Sequence, residues 1–259
     1  MPTTRNSKLI NCSLGLKMLY SHTVGQGQAL VLLHGWGFNA ELFNALIAQY
    51  KNQYCITVID LPGHGRSDEV KGGIKEWCTE IIKILPNNPI LLGWSLGGLL
   101  AIHIANKIKI SALILVAATP KFVQTDDWVY GIDANNFHQF SDALALNLSK
   151  GLKRFVSLQT NDKAQLKILN QSIDALPASA KALNQGLEIL LNSDFRPQFK
   201  QLKIPVQIIL GHRDTLVPAN IAHWYERLTT SNPSVKVLVT ILDAGHLPFL
   251  HPDFKLRII

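Results

Sequence analysis

Along the first 120 positions, short runs of apolar and β-branched residues alternate with longer stretches in which apolar residues recur every three or four positions. Residues 29–33, 54–59, 89–94 and 112–118 read as strands, and residues 40–50, 74–85 and 97–107 as amphipathic helices. Such alternation predicts βαβ units and a mostly parallel sheet. An opening antiparallel strand over residues 16–23, turning at Gly25-Gln26-Gly27, is expected before them.

The pattern changes at Pro120. From there to about residue 191 the period is helical, with predicted helices over 137–148, 150–158, 163–173 and 179–190. Alternation then resumes with a strand at 206–210, a helix near 220–228 and a strand at 235–242. The expected architecture is therefore an α/β fold with a mostly parallel central sheet flanked by helices. Residues 15–120 and 192–259 form its core, and residues 121–191 are a helical lid inserted after a strand. An insertion at a strand's carboxyl end lies over the edge where open α/β sheets bind ligands.

Composition narrows the classes. Of 259 residues, 47% are hydrophobic and 17% charged, a folded rather than a disordered profile. The longest apolar runs fall far short of the roughly 20 residues of a membrane span, and the amino terminus lacks an apolar signal core. Cys12, Cys55 and Cys78 form no paired motif, which points to a reducing compartment, hence the cytoplasm, without disulfides or a zinc site. The net charge of +7 is spread thinly, and no run of five basic residues or aromatic–basic signature suggests nucleic acid. Within the insertion, however, residues 147–170 carry Lys150, Lys153, Arg154, Lys163 and Lys167 against Asp162 alone, whereas residues 121–146 are net acidic. A monomer with no membrane or nucleic-acid partner is expected, with this basic patch facing an acidic partner.

The chemistry concentrates at strand ends. Gly93-Trp94-Ser95-Leu96-Gly97-Gly98 places GxSxG between a predicted strand and a predicted helix, the setting of a nucleophile elbow with Ser95 exposed above the sheet. A serine hydroxyl needs a base, and the base needs an orienting carboxylate. In this arrangement acid and base follow the serine in the chain, which removes His34 and His64; His103 falls within a helix and His138 within the insertion. His212 and His223 come too early to follow an acid. His246, in the loop after the last strand, is preferred over His251, and Asp214, in the loop after strand 206–210, over Asp243. The amides of Leu96 and of Trp36, in His34-Gly35-Trp36-Gly37, are the expected oxyanion donors. The segment Asp60-Leu61-Pro62-Gly63-His64-Gly65-Arg66-Ser67 reads as structural, with Asp60 and Arg66 bracing the loops. Metal, nucleotide and dinucleotide motifs are absent, so no cofactor is expected.

Together, HGWG, DLPGHGRS, GWSLGG, the aspartate loop and the final AGH resemble the α/β-hydrolase superfamily. The lid stretches Arg154–Thr160 (RFVSLQT), Ala175–Pro177 and Gly186–Leu190 are similar to those of the pimeloyl-[acyl-carrier protein] methyl ester esterases of biotin synthesis. That resemblance implies an α/β-hydrolase fold and hydrolysis of a carrier-bound methyl ester. It also implies substrate contacts from Trp36, Ser95, Leu96, Phe155, Val156, Ser157, Leu158, Gln159 and His246. Docking of the acidic carrier protein would fall to Lys150, Arg154, Lys163 and Lys167, which form two i, i+4 pairs on helix faces. Alternative activities on the same scaffold are a general short-chain esterase or a carbon–carbon bond hydrolase; a non-catalytic binding protein is the alternative of another class.

Overall fold

The computed structural model describes residues 18–257. Among the described residues, seven strands form one sheet in the order β1-β3-β2-β4-β5-β6-β7. They are β1 (Ser21–Val24), β2 (Gln28–Leu33), β3 (Tyr54–Ile59), β4 (Ile90–Trp94), β5 (Ala112–Val116), β6 (Val206–Gly211) and β7 (Val237–Leu242). Only β1 pairs antiparallel, with β3; every other neighbouring pair is parallel. The expected opening strand begins in part outside the described residues, and its described portion starts at Ser21.

β4 (ILLGW) and β5 (ALILV) are buried at every position, as parallel strands covered on both faces must be. The covering helices in the first half are α1 (Asn44–Tyr50), α2 (Ile74–Lys83) and α3 (Leu96–Ala105). α2 buries Trp77, Cys78 and Ile81 and turns its charges outward, whereas α3 is apolar on all sides and runs through the core. The single helix expected over residues 40–50 is instead a 3₁₀ turn, Ala40–Phe43, leading into α1. The Asn39 side chain accepts the Glu41 amide and caps that turn.

Between β5 and β6 lie α4 (Ala134–Leu146), α5 (Leu148–Gln159), α6 (Lys163–Ala175) and α7 (Ala180–Asn192). Asp133, Asn147, Asp162 and Ser179 cap their amino termini by accepting backbone amides. A further short helix without a sequence signal, α8 (Arg196–Phe199), follows. Arg196 joins the two ends of this excursion, reaching Asp194 at 2.6 Å and Asp127 at 2.9 Å, while Lys121 reaches Asp194 at 3.4 Å. The Thr125 hydroxyl and then Arg196 hold the Asp127 carboxyl below its usual range, and Arg196 hydrogen bonds, outweighing burial, do the same for Asp194. After β6, a 3₁₀ turn precedes α9 (Ala222–Ser231). No helix among the described residues is long and apolar enough to cross a membrane.

The strand order fixes where a site forms. The chain leaves β2 toward β3 on one side and leaves β4 toward β5 on the other, so the loops after β2 and β4 diverge and leave a crevice at their carboxyl ends. The HGWG loop follows β2 and the GxSxG turn follows β4.

Candidate active site

Ser95 sits between β4 and α3 with φ +54° and ψ −117°, a left-handed conformation that only a strongly determined turn imposes on a non-glycine residue. The neighbours determine it. A Cβ on Gly93 would lie 2.4 Å from the Gly97 carbonyl oxygen, and one on Gly97 would lie 2.2 Å from the Leu33 carbonyl oxygen. Chain segments therefore meet here through bare backbone, and the serine is pushed to the sheet edge.

Asp214, in the loop after β6, and His246, in the loop after β7, meet across neighbouring strands. His246 Nδ1–H donates to Asp214 Oδ2 at 2.7 Å, and both side chains are fully buried. The other carboxylate oxygen of Asp214 accepts the amides of Leu216 and Val217 at 2.8 and 3.0 Å, so the acid cannot rotate away. This arrangement fixes the tautomer of His246, leaving Nε2 as the acceptor, and Nε2 has no hydrogen-bond partner among the described residues. The other two candidates lie apart. Asp243 is exposed and paired with Arg213 at 3.0 Å, and His251 is near Asp253.

The HGWG loop is held by two neutral histidines. His34 donates from Nδ1 to the Gly35 carbonyl (2.8 Å) and accepts the Leu61 amide at Nε2 (2.8 Å). His64 donates to the Pro62 carbonyl (2.9 Å) and accepts the Gly37 amide (3.3 Å). Each loop thus holds the other. Burial is the main cause that lowers their pKa values, to about 4 for His34 and about 3 for His64, and neutrality is what lets Nε2 accept an amide. Asp60, wholly buried, accepts the Ala40 amide at 2.7 Å and binds the Arg66 backbone and guanidinium at 2.9 and 3.0 Å, which is the expected brace.

A cavity of about 260 Å³ opens over Ser95. Its walls are mainly aromatic and aliphatic, with Trp36, Phe122, Phe137, Phe155, Leu187 and Leu190 among them, and Arg154 supplies the one charged side chain of the lining. Trp36 donates from Nε1 to the Leu183 carbonyl of α7 at 2.7 Å and stands edge-on to Phe155 at 4.8 Å, so the inserted helices rest on it. Of the stretch 155–159, Phe155 and Leu158 line this cavity. Val156 is buried on another side of α5, Ser157 is exposed, and Gln159 is buried behind His246. Lys150, Arg154, Lys163 and Lys167 are all exposed on α5 and α6, and none makes an ion pair among the described residues. Sequence reasoning did not find Asn39, which donates from Nδ2 to the carbonyls of Ser172 (2.9 Å) and Leu176 (3.3 Å) and seats α6 on the core.

The chain matches the family described as "Alpha/beta hydrolase family" over residues 30–255. It is similar to the pimeloyl-[acyl-carrier protein] methyl ester esterase of Pseudoalteromonas atlantica, with 37% identity over 90% of this chain and 92% of that one. The enzyme of the same name from Shewanella woodyi is 35% identical over 91% of this chain and 93% of that one. Among solved structures, an esterase from Exiguobacterium antarcticum superposes with a TM-score of 0.79 and 25% identity, covering 90% of each chain. A bromoperoxidase from Bacillus anthracis shares the fold at TM-score 0.78 and 20% identity over 89% of each chain. The protein belongs to the alpha/beta hydrolase family.

Proposed function

We propose that this protein is a serine carboxylesterase that cleaves the methyl ester of pimeloyl-[acyl-carrier protein], giving pimeloyl-[acyl-carrier protein] and methanol. The observation that carries the hydrolytic reading is the buried Asp214–His246 pair with Nε2 unpartnered, at the same sheet edge as the strained Ser95. Ser95 Oγ attacks the ester carbonyl as His246 Nε2 takes its proton. The amides of Leu96 and Trp36 receive the oxyanion. Leu96 begins α3, where unsatisfied N–H groups and the helix dipole favour negative charge, and each such donor is worth about 10²–10³ in rate. His246 then returns the proton to methanol, and a water clears the acyl-enzyme by the same route.

The choice of substrate is supported by relatives at 34–37% identity that carry this name and align over about nine-tenths of both chains. The cavity is consistent with it: an acyl chain ending in a neutral methyl ester suits walls of Phe122, Phe137 and Leu187, whereas the carboxylate product would be poorly solvated there. Exposed Lys150, Arg154, Lys163 and Lys167 would meet an acidic carrier, with Arg154 at the cavity to receive the phosphate of its prosthetic arm. Lysine at three of these four positions keeps the charge but lacks the bidentate geometry that Arg154 retains.

The test compares kcat/KM for pimeloyl-[acyl-carrier protein] methyl ester with that for small methyl esters of the same acyl length. A clear preference for the carrier-bound ester is expected, and its absence would leave only a general esterase. Ser95→Ala and His246→Ala should each abolish hydrolysis of both, and full activity in either variant would end the hydrolytic reading.

A further inference from the structure

His246 is engaged at more points than a general base requires. Its ring uses Nδ1 for Asp214 and keeps Nε2 free, yet both ends of its peptide are also tied. The His246 amide donates to the Gln159 carbonyl at 2.8 Å. The His246 carbonyl accepts Trp94 Nε1–H at 2.7 Å, with the two rings 5.8 Å apart. Asp214 fixes one ring atom, which leaves the imidazole able to pivot. Holding the main chain on both sides fixes the Cα, and the direction of Nε2 follows.

The two tethers have informative origins. Trp94 is the residue before Ser95, and Ser95 is itself anchored by its amide to the Val116 carbonyl at 3.1 Å. A bond from that indole to His246 therefore sets the spacing between base and nucleophile from the strand that carries the nucleophile. Gln159 is the last residue of α5, and its carbonyl is among the helix-end acceptors that have no partner within the helix. The lid helix that lines the cavity with Phe155 and Leu158 thus ends on the amide of His246. Gly245 permits the approach, since a Cβ there would lie 2.5 Å from the Gln159 oxygen. Gly211 does the same one layer below, where a Cβ would lie 2.0 Å from the Gly245 oxygen. The Gln159 side chain folds back onto its own helix, donating to the Phe155 carbonyl at 3.2 Å, and stays out of the acyl cavity.

We propose that Trp94 and the carboxyl-terminal carbonyl of α5 at Gln159 form a clamp that positions His246, so that the seated lid is part of what makes Ser95 reactive as well as a wall for substrate. The inference rests on reading His246 as the base for Ser95. Gln159 and Trp94 are positioning residues, and their contribution is geometric: a misplacement of about 1 Å between reacting groups costs about 10²-fold in rate.

The test uses a small fluorophosphonate that labels Ser95 without needing the acyl cavity or a carrier. Trp94→Phe keeps an aromatic ring and deletes the donor; Gly245→Ala pushes the α5 carbonyl off the His246 amide. Both are expected to lower the labelling rate and kcat for a small ester by about 10–100-fold while KM changes less than about threefold. If both fold with native circular dichroism and label at the native rate, the clamp is refuted. Hydrogen exchange on the unmodified protein gives a second reading that does not depend on variants folding. The His246 amide and the Trp94 indole N–H should be among the slowest exchangers, and rapid exchange of either overturns the proposal. A native labelling rate in His246→Ala would instead overturn the base assignment on which the clamp depends.

Discussion

Replacing Asp214 by asparagine separates the two jobs of that side chain. One oxygen accepts the amides of Leu216 and Val217, and the other accepts Nδ1–H of His246. Asparagine has one acceptor and one donor end, so it must choose. Turning its NH₂ toward the two amides would set donors against donors, at a cost of about 1–3 kcal/mol for each buried group left unpaired. The oxygen therefore stays with Leu216 and Val217, and the NH₂ faces His246. The imidazole must then accept at Nδ1 and carry its proton on Nε2, where it cannot take one from Ser95. In a serine triad that tautomer error costs about 10⁴-fold, or about 5 kcal/mol of transition-state stabilisation. The expectation for Asp214→Asn is a loss of that order in kcat for a small ester and in fluorophosphonate labelling, with a melting temperature close to native. Asp214→Ala should lose activity comparably and also stability, because both amides lose their acceptor. Asp243→Asn, whose carboxylate is exposed against Arg213, should stay within about tenfold of native. Activity of Asp214→Asn within tenfold of native, or the large loss appearing at Asp243, would refute the reasoning.

Further outcomes follow from other parts of the structure. His34 and His64 are held neutral, with pKa values of about 4 and about 3 against 6.5 when exposed, so below pH 6.5 the unfolded chain binds protons that the folded chain refuses. Stability should be highest above pH 6.5 and fall as the pH drops toward 4, by roughly 3 kcal/mol from His34 alone; a urea midpoint unchanged between pH 7 and pH 5 contradicts this. Gly97→Ala drives a Cβ against the Leu33 carbonyl, a backbone atom with no room to yield, and should cost about 1–3 kcal/mol in thermal unfolding and slow the labelling of Ser95. A native melting curve with native labelling rejects that account. Lys150→Glu combined with Arg154→Glu should lower the ratio of carrier-ester to small-ester kcat/KM about tenfold at low salt and less at high salt; a ratio unaffected at any ionic strength removes these residues from docking.

The fold was legible in the sequence wherever burial leaves a period. β4 and β5 are continuous apolar runs because both faces are covered, and α2 shows a helical stripe because one face is. The break inside residues 40–50 was not legible, because a 3₁₀ turn entering a helix keeps nearly the same apolar spacing. The four-residue α8 is too short to show any period. The proposed triad could be read because its members occupy strand-end loops in a fixed chain order. What holds His246 and seats the inserted helices left no trace. Trp94 with His246, Asn39 with Ser172 and Trp36 with Leu183 are side chains bonded to carbonyls more than 130 positions away, and a carbonyl is available at every residue.

That last point bears on how substrate specificity and chemistry are divided in this fold. The inserted helices rest on the core through Leu183 to Trp36, Ser172 and Leu176 to Asn39, the Ser179 amide to Gly63, and Gln159 to His246. In these four seats the insertion contributes backbone, whereas Gln185 Nε2 on the Gly72 carbonyl and Lys181 beside Glu69 are side-chain contacts from α7. At about 0.5–1.5 kcal/mol net for each hydrogen bond, these contacts add a few kcal/mol to the apolar burial of Val156, Leu169 and Leu183 in holding the inserted helices seated. Lys150, Lys163 and Lys167 are exposed, and Arg154 is exposed while also lining the cavity. The carbonyl of Gln159 lies on the inward side, at the base. On the proposed roles, recognition by Lys150 and Arg154 on α5 and orientation of His246 at its end would be properties of one helix, and an enzyme whose lid is unseated is expected to be a poor nucleophile toward any ester, cognate or not.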